Sequence, residues 1–144
     1  MAKQRITEAL RARVLLRAGG CCEYCRSQDA FSPQSFSAEH VVPRSRAGAT
    51  SSENLAWSCQ GCNAHKYAKI EGWDAATGRK VPLFDPRVHL WREHFVWSND
   101  TAIVIGTTPT GRATVDGLKF NREPVVNPRR VLVDAGLHPP PEPD

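Results

Sequence analysis

Four cysteines in two pairs carry the clearest chemistry in this chain: Cys22-x-x-Cys25 and Cys59-x-x-Cys62. Each pair sets two thiolates on one tight turn facing the same point, and two such knuckles supply the four sulfur ligands of a tetrahedral Zn²⁺. A closed four-sulfur site has no open position for a substrate, so this zinc is expected to be structural. The interval between the knuckles is longer than a compact zinc ribbon needs, so something is inserted there. Cys21 is a fifth cysteine. It competes with Cys22, but the spacing to Cys25 favours Cys22 as the ligand. The odd count also argues against a fully paired disulfide framework.

The inserted segment holds Glu39-His40-Val41-Val42-Pro43, then a Ser- and Gly-containing loop from Ser45 to Ser52, then Asn54. The second knuckle runs on as Cys59-Gln60-Gly61-Cys62-Asn63-Ala64-His65-Lys66. An acid-His-aliphatic-x-Pro element, a following Asn, and a knuckle leading into Asn-x-x-Lys together resemble the HNH endonuclease family. The resemblance covers roughly Gly20 to Lys69. It implies an α+β fold: a small ββα-metal (His-Me finger) core braced by a structural four-cysteine zinc site, with an N-terminal helix and a C-terminal α+β extension.

Residue by residue, the resemblance implies that His40 is the general base that deprotonates the attacking water. An imidazole with an ordinary pKa near 6.5 suits that task at neutral pH. Glu39 matches the acidic ligand of a catalytic Mg²⁺ or Mn²⁺, ions that prefer hard oxygen donors. Asn54 matches the Asn that pins the loop and keeps the base oriented. Asn63 matches the last signature position, a second ligand of the catalytic metal from the following helix. The expected reaction is hydrolysis of DNA phosphodiesters to a 5′ phosphate and a 3′ hydroxyl. Two departures stand out. The acid before the base is commonly Asp, and here it is Glu39, one methylene longer. The signature reads His-Asn-Asn, with His65 as second candidate for the metal; its two-residue offset from Asn63 turns it to another side of a helix. Arg44, Arg46 and Lys66 flank the base loop and the metal helix and are candidates for phosphate contact.

These residues need a frame. Ile6, Leu10 and Val14 repeat at steps of four, which predicts a helix over 5–18 ended by Gly19-Gly20. Phe36, Val41 and Val42 suggest short extended pieces. A short helix is expected from Gln60 to Lys69, ended by Gly72. Asp74 to Gly78 and Pro82 to Pro86 read as turns, and Val88 to Phe95 as a further helix. Two β-branched or apolar runs around Asn99-Asp100 predict a hairpin with a two-residue turn. Pro109 to Phe120 reads as a helix with Pro in its first turn, and Asn127-Pro128 as the cap and start of a last helix closed by Gly136. The chain divides into a nuclease core with its helix (1–70), an extension packed on it (71–138), and a proline-rich tail (139–144) expected to be mobile. The stretches Pro82 to Pro86, Trp91 to Trp97 and Thr107 to Arg122 are similar to the tails of short stand-alone bacterial HNH proteins. Trp57, Trp73, Trp91 and Trp97 are expected to pack between elements, not to stack on bases, and His89, His94 and His138 receive no role.

Composition bounds the alternatives. The 144 residues carry 40% hydrophobic and 24% charged residues, which excludes membrane, disordered and collagen-like classes. No apolar stretch reaches the roughly 18 residues of a membrane span, and the charged N-terminus lacks the apolar core of a signal peptide. The expected compartment is a reducing cytoplasm, where clustered cysteines bind metal more often than they form disulfides. The net charge of +4 lies in the first half: residues 1–70 hold ten bases and five acids, residues 71–144 nine bases and ten acids. Four thiolates on one Zn²⁺ contribute about −2, so the total charge is a weak warrant for DNA binding, and the local cluster around His40 is the sharper one. The competing class is a non-catalytic zinc module that docks on nucleic acid or protein; it would have no need for Glu39, His40 and Asn63 in this arrangement. No interface signature decides between monomer and homodimer.

Overall fold

The computed structural model describes residues 5–143; Met1 to Gln4 at the start of the N-terminal segment and Asp144 at the end of the tail lie outside them. The chain is α+β, with five α-helices and three two-stranded antiparallel sheets among the described residues. Helix α1 (Glu8–Ala18) starts where Thr7 offers its hydroxyl oxygen to the Leu10 amide at 3.1 Å and stops at Gly19, whose φ of +63° is a left-handed cap. It buries Val14 and Ala18. Its last turn holds the strand beyond it: Arg17 donates to the carbonyls of Ser52 and Leu55, both at 2.8 Å.

Strands β1 (Ser37–His40) and β2 (Leu55–Ser58) pair antiparallel with His40 opposite Leu55 and Glu39 opposite Ala56. All of β2 is buried, so it is the floor on which β1 and α1 rest. Helix α2 (Gln60–Lys66) follows directly, giving the β-β-α order. It ends at Tyr67, which takes φ +50°, and not at Gly72. Gly72 instead lies in β3 (Glu71–Asp74), where an added Cβ would come within 2.9 Å of Leu83. β3 pairs with β4 (Arg79–Pro82) around the expected turn. The two strands themselves have no alternating pattern that would announce them.

The extension differs from expectation at several boundaries. The helix expected over Val88 to Phe95 shrinks to α3 (Trp91–His94), because Phe95 opens β5 (Phe95–Trp97). β5 pairs with β6 (Val104–Gly106), and residues 98–103 form the connection, longer than a two-residue turn. Its Ser98 and Asp100 side chains close it on themselves at 2.7 Å. Helix α4 (Pro109–Gly117) is capped by Thr108. Helix α5 (Glu123–Asp134) begins before Asn127, with Pro128 inside it. Burial of Val125 and Val126 carries the helix upstream at the cost of one missing backbone bond at Pro128.

One hydrophobic cluster joins the parts. Val14, Leu55, Trp57 and the four knuckle cysteines are contiguous with Phe84, Trp91, Phe95, Leu118 and Phe120. Trp57 and Trp91 are buried as expected, and Trp97 packs at the cluster's edge. Trp73 does not pack as expected: it is 60% exposed on β3, opposite Lys80. The proline-rich tail lies against the first knuckle, where Arg26 donates to the Pro141 carbonyl at 3.0 Å and Pro140 is buried.

Candidate metal centre and active site

The two knuckles converge. The Sγ atoms of Cys22, Cys25, Cys59 and Cys62 lie within 4.8 Å of one another, all buried and none in a disulfide. Cys25 and Cys59 sulfurs are 3.7 Å apart. Tetrahedral Zn–S bonds of about 2.3 Å imply S···S edges of about 3.8 Å, whereas a disulfide requires about 2.05 Å. The donor set and the spacing therefore fit zinc. Local backbone explains how each pair is presented. Cys22 and Arg26 close the first turn, with the Arg26 amide donating to the Cys22 carbonyl at 3.0 Å and Arg26 itself at φ +67°. Cys59 is the N-cap of α2, and its sulfur accepts from the Cys62 amide at 3.4 Å.

Burial pushes the Cys22 and Cys62 thiols well up, while hydrogen bonds from neighbouring sulfurs hold Cys25 and Cys59 down. A divalent ion would hold all four as thiolates, against the burial that raises Cys22 and Cys62. Cys21 is buried outside this cluster, with its sulfur 3.8 Å from the Gly19 carbonyl, so Cys22 is the knuckle residue.

His40 ends β1 and is half-buried. Its Nε2 lies 2.8 Å from the Thr50 hydroxyl, and Nδ1 has no hydrogen-bond partner among the described residues. Burial lowers its pKa, and the cationic Arg44 and Lys66 lower it further. Glu39 is half-buried too, and burial raises its pKa against the pull of Lys66. Its carboxylate has no hydrogen bond or close ion pair among the described residues. The Asn63 side-chain amide, half-buried on α2, has none either. Two partly desolvated oxygen donors without partners suit a hard divalent cation.

Asn54 acts as a clamp. Its Oδ1 accepts from the Val42 amide at 2.9 Å, and its Nδ2 donates to the carbonyls of Val42 at 3.0 Å and Ala49 at 2.8 Å. The Asn54 carbonyl also accepts from the Val41 amide at 2.9 Å. The side chain thus ties both ends of the loop that follows His40. Gly48 lets the loop close: a Cβ there would fall 1.8 Å from the Val42 carbonyl oxygen.

The three basic candidates separate. Arg44 is exposed near His40. Arg46 is exposed, but its Nε donates to the Ala68 carbonyl at 2.9 Å and fastens the loop to the end of α2. Lys66 is buried, with its ammonium 2.6 Å from the Val41 carbonyl. That location turns it inward, between α2 and the chain just past His40. Lys66 lies three residues after Asn63, so the two share one helical face, and Lys66 reaches from it to Val41, just past β1. His65 is exposed, and the cations that act on it are Arg122, Lys119 and Lys69, none of which acts on His40.

The roles of three residues are not legible in the sequence. Thr50 is one of several hydroxyl residues in a loop, and nothing local singles it out. Arg122 and Arg129 come from the far end of the chain, yet Arg122 donates to two knuckle sulfurs and Arg129 to the Cys25 carbonyl. Their spacing of seven, one at the start of a helix and the other in its middle, is the only local signal.

The architecture thus defines a class: a β-hairpin and helix braced by a four-cysteine metal site, with a histidine at the hairpin's mouth. Residues 22–69, one third of the chain, match the model of the HNH endonuclease family. That match supports nuclease-type function in general, with nucleic acid as the substrate. Neither a curated protein nor a solved structure matches the chain. No helix among the described residues is long and apolar enough to cross a membrane.

Proposed function

We propose that this protein is a metal-dependent endonuclease that hydrolyses DNA phosphodiesters, with His40 as general base. The observation that carries the reading is the state of His40. Burial and nearby cations lower its pKa and favour the neutral ring, Nε2 lies against the Thr50 hydroxyl, and with Nε2–H donating to Thr50 the other nitrogen, Nδ1, would be the acceptor. A base of that kind takes a proton from a water aligned against a phosphate. Asn54 holds the loop beyond it and so limits its drift. Glu39 and Asn63 are the residues that would hold Mg²⁺ or Mn²⁺, with His65 the less favoured candidate because it faces away. Such an ion supplies charge stabilisation to the phosphate and the leaving 3′ oxygen. Arg44 offers a phosphate contact at the same mouth, and Arg46 offers its remaining guanidinium nitrogens. Lys66 serves instead as an internal counter-charge for Glu39. Cys22, Cys25, Cys59 and Cys62 hold a structural Zn²⁺ that fixes α2 against the hairpin.

The test is supercoiled-plasmid cleavage with Mg²⁺, Mn²⁺ and chelator, followed by end-group analysis of the products. Cation-dependent nicking that leaves 5′ phosphates, and its loss in His40→Ala, is the expected result. A folded, zinc-loaded wild type that binds DNA and never cuts it would replace this reading with the non-catalytic module.

A further inference from the structure

The metal centre of the nuclease core is completed from outside it. Arg122 immediately precedes α5, and its Nη2 lies 3.4 Å from the Cys59 sulfur and its Nη1 3.9 Å from that of Cys62. Nη1 is also fixed by the carbonyls of Leu118 at 3.3 Å and Lys119 at 2.9 Å, so the guanidinium is aimed rather than loose. The second knuckle is shaped to admit it. A Cβ on Gly61 would stand 2.2 Å from Nη2 and 2.6 Å from Cζ of Arg122. Of the two residues between Cys59 and Cys62, the one on which the guanidinium presses is thus glycine.

Seven residues further along, inside α5, Arg129 is 3% exposed. It donates to the carbonyls of Ala102, Phe120 and Cys25 and to the Asn121 amide oxygen. Its guanidinium stacks 5.2 Å from the Trp97 ring centre. The charge balance explains why two arginines are there. Four thiolates on a divalent zinc leave a net −2, and burying an uncompensated charge is costly. Two guanidinium groups beside the cluster bring the sum to zero.

We infer that Arg122 is a positioning residue for the zinc thiolates: its N–H donors on Cys59 and Cys62, admitted by Gly61, make zinc retention by the nuclease core depend on the C-terminal extension. The inference rests on the zinc reading of the four cysteines, not on nuclease activity. Donors on a thiolate withdraw electron density from sulfur and stabilise the anionic form against protonation. Groups of this kind around metal ligands are worth about 10- to 100-fold in metal affinity.

The test uses the full chain, with zinc measured by elemental analysis and by release to a colorimetric chelator, and with Co²⁺ substituted for zinc for spectroscopy. Arg122→Met keeps the aliphatic stem and removes charge and donors. It is expected to release zinc at least about tenfold faster and to move the sulfur-to-cobalt charge-transfer band to lower energy. Arg122→Lys restores the charge and is expected to slow release again without restoring the band fully. Gly61→Ala leaves Arg122 in place but displaces its guanidinium, and is expected to reproduce both effects; it carries the test if Arg122→Met does not fold. Release within about twofold of wild type and an unmoved band in the folded variants would overturn the inference, given the tenfold floor expected for such groups. A wild type that takes up no zinc would overturn the metal site itself, whatever its activity on DNA.

Discussion

Asn54→Ala removes a side chain that makes three hydrogen bonds, all to the loop it encloses. Two go to Val42, which is half-buried, and one to the exposed Ala49. Water can replace the Ala49 partner, so that bond counts for little. The Val42 amide and carbonyl lose partners in a place where water enters less easily, at about 1 kcal/mol each, and somewhat more if they stay unpaired. The expected loss is about 2–3 kcal/mol. For a chain of this size 1 kcal/mol moves Tm by about 2–4 °C, so thermal denaturation should fall by about 4–12 °C. Amide exchange at Val41 and Val42 should accelerate ahead of that in β1. If His40 is the base, loosening its loop by about 1 Å should cost up to about 100-fold in nicking rate. Asn54→Asp keeps the acceptor for the Val42 amide and loses both donors, so it should fall between wild type and alanine. A Tm drop below about 2 °C in Asn54→Ala, with unchanged exchange at Val42, would refute the clamp.

His40→Ala should eliminate cation-dependent nicking while leaving the melting temperature near wild type; full retained activity would remove His40 as the base. One zinc per chain is expected, and Cys59→Ser should lose both metal and fold, as judged by elemental analysis and circular dichroism. Arg44→Ala should reduce the salt dependence of DNA binding by about one unit of slope, whereas Lys66→Met should lower stability and leave that slope unchanged, because its ammonium is directed into the protein. Asp74 is fully buried and bonded to Arg112 at 2.9 and 3.1 Å and to the Thr77 hydroxyl at 2.7 Å. The Arg112 and Thr77 bonds hold its pKa far below the usual aspartate range. A depressed carboxylate stabilises the fold at every pH above its unfolded value, near 3.9, and loses that contribution as pH falls towards its folded one. Acid titration below about pH 4 should therefore destabilise the wild type more steeply than Asp74→Asn, which should already be less stable at pH 7.

Much of the chemistry is legible because it is encoded at short range. Cys-x-x-Cys places two sulfurs on one turn whatever surrounds it, and Thr7, Gly19, Thr108 and Pro109 mark helix ends through their own backbones and side chains. Glu39-His40 and Asn63 stand out because acid, base and amide types fall within a recognisable order. Boundaries that depend on burial are less legible. α5 starts upstream of its apparent cap because Val125 and Val126 reach the core, and β3 and β4 form although Glu71-Gly-Trp-Asp has no alternation.

The sequence by itself determined which residue types are available, the order in which they come, and the two thiolate turns. The tertiary structure decided where each side chain is spent. Lys66 reads as a surface cation beside a phosphate site and is instead buried against the Val41 carbonyl. Asn63 and His65 lie on different sides of α2, but only the packed chain sets Arg122, Lys119 and Lys69 beside His65. Arg122 meets Cys59 from the far end of the chain, and no local periodicity reports such a contact. The physical reason is common to all three. Backbone geometry acts over a few residues, whereas desolvation and charge compensation act through space, on neighbours that only the packed chain brings together.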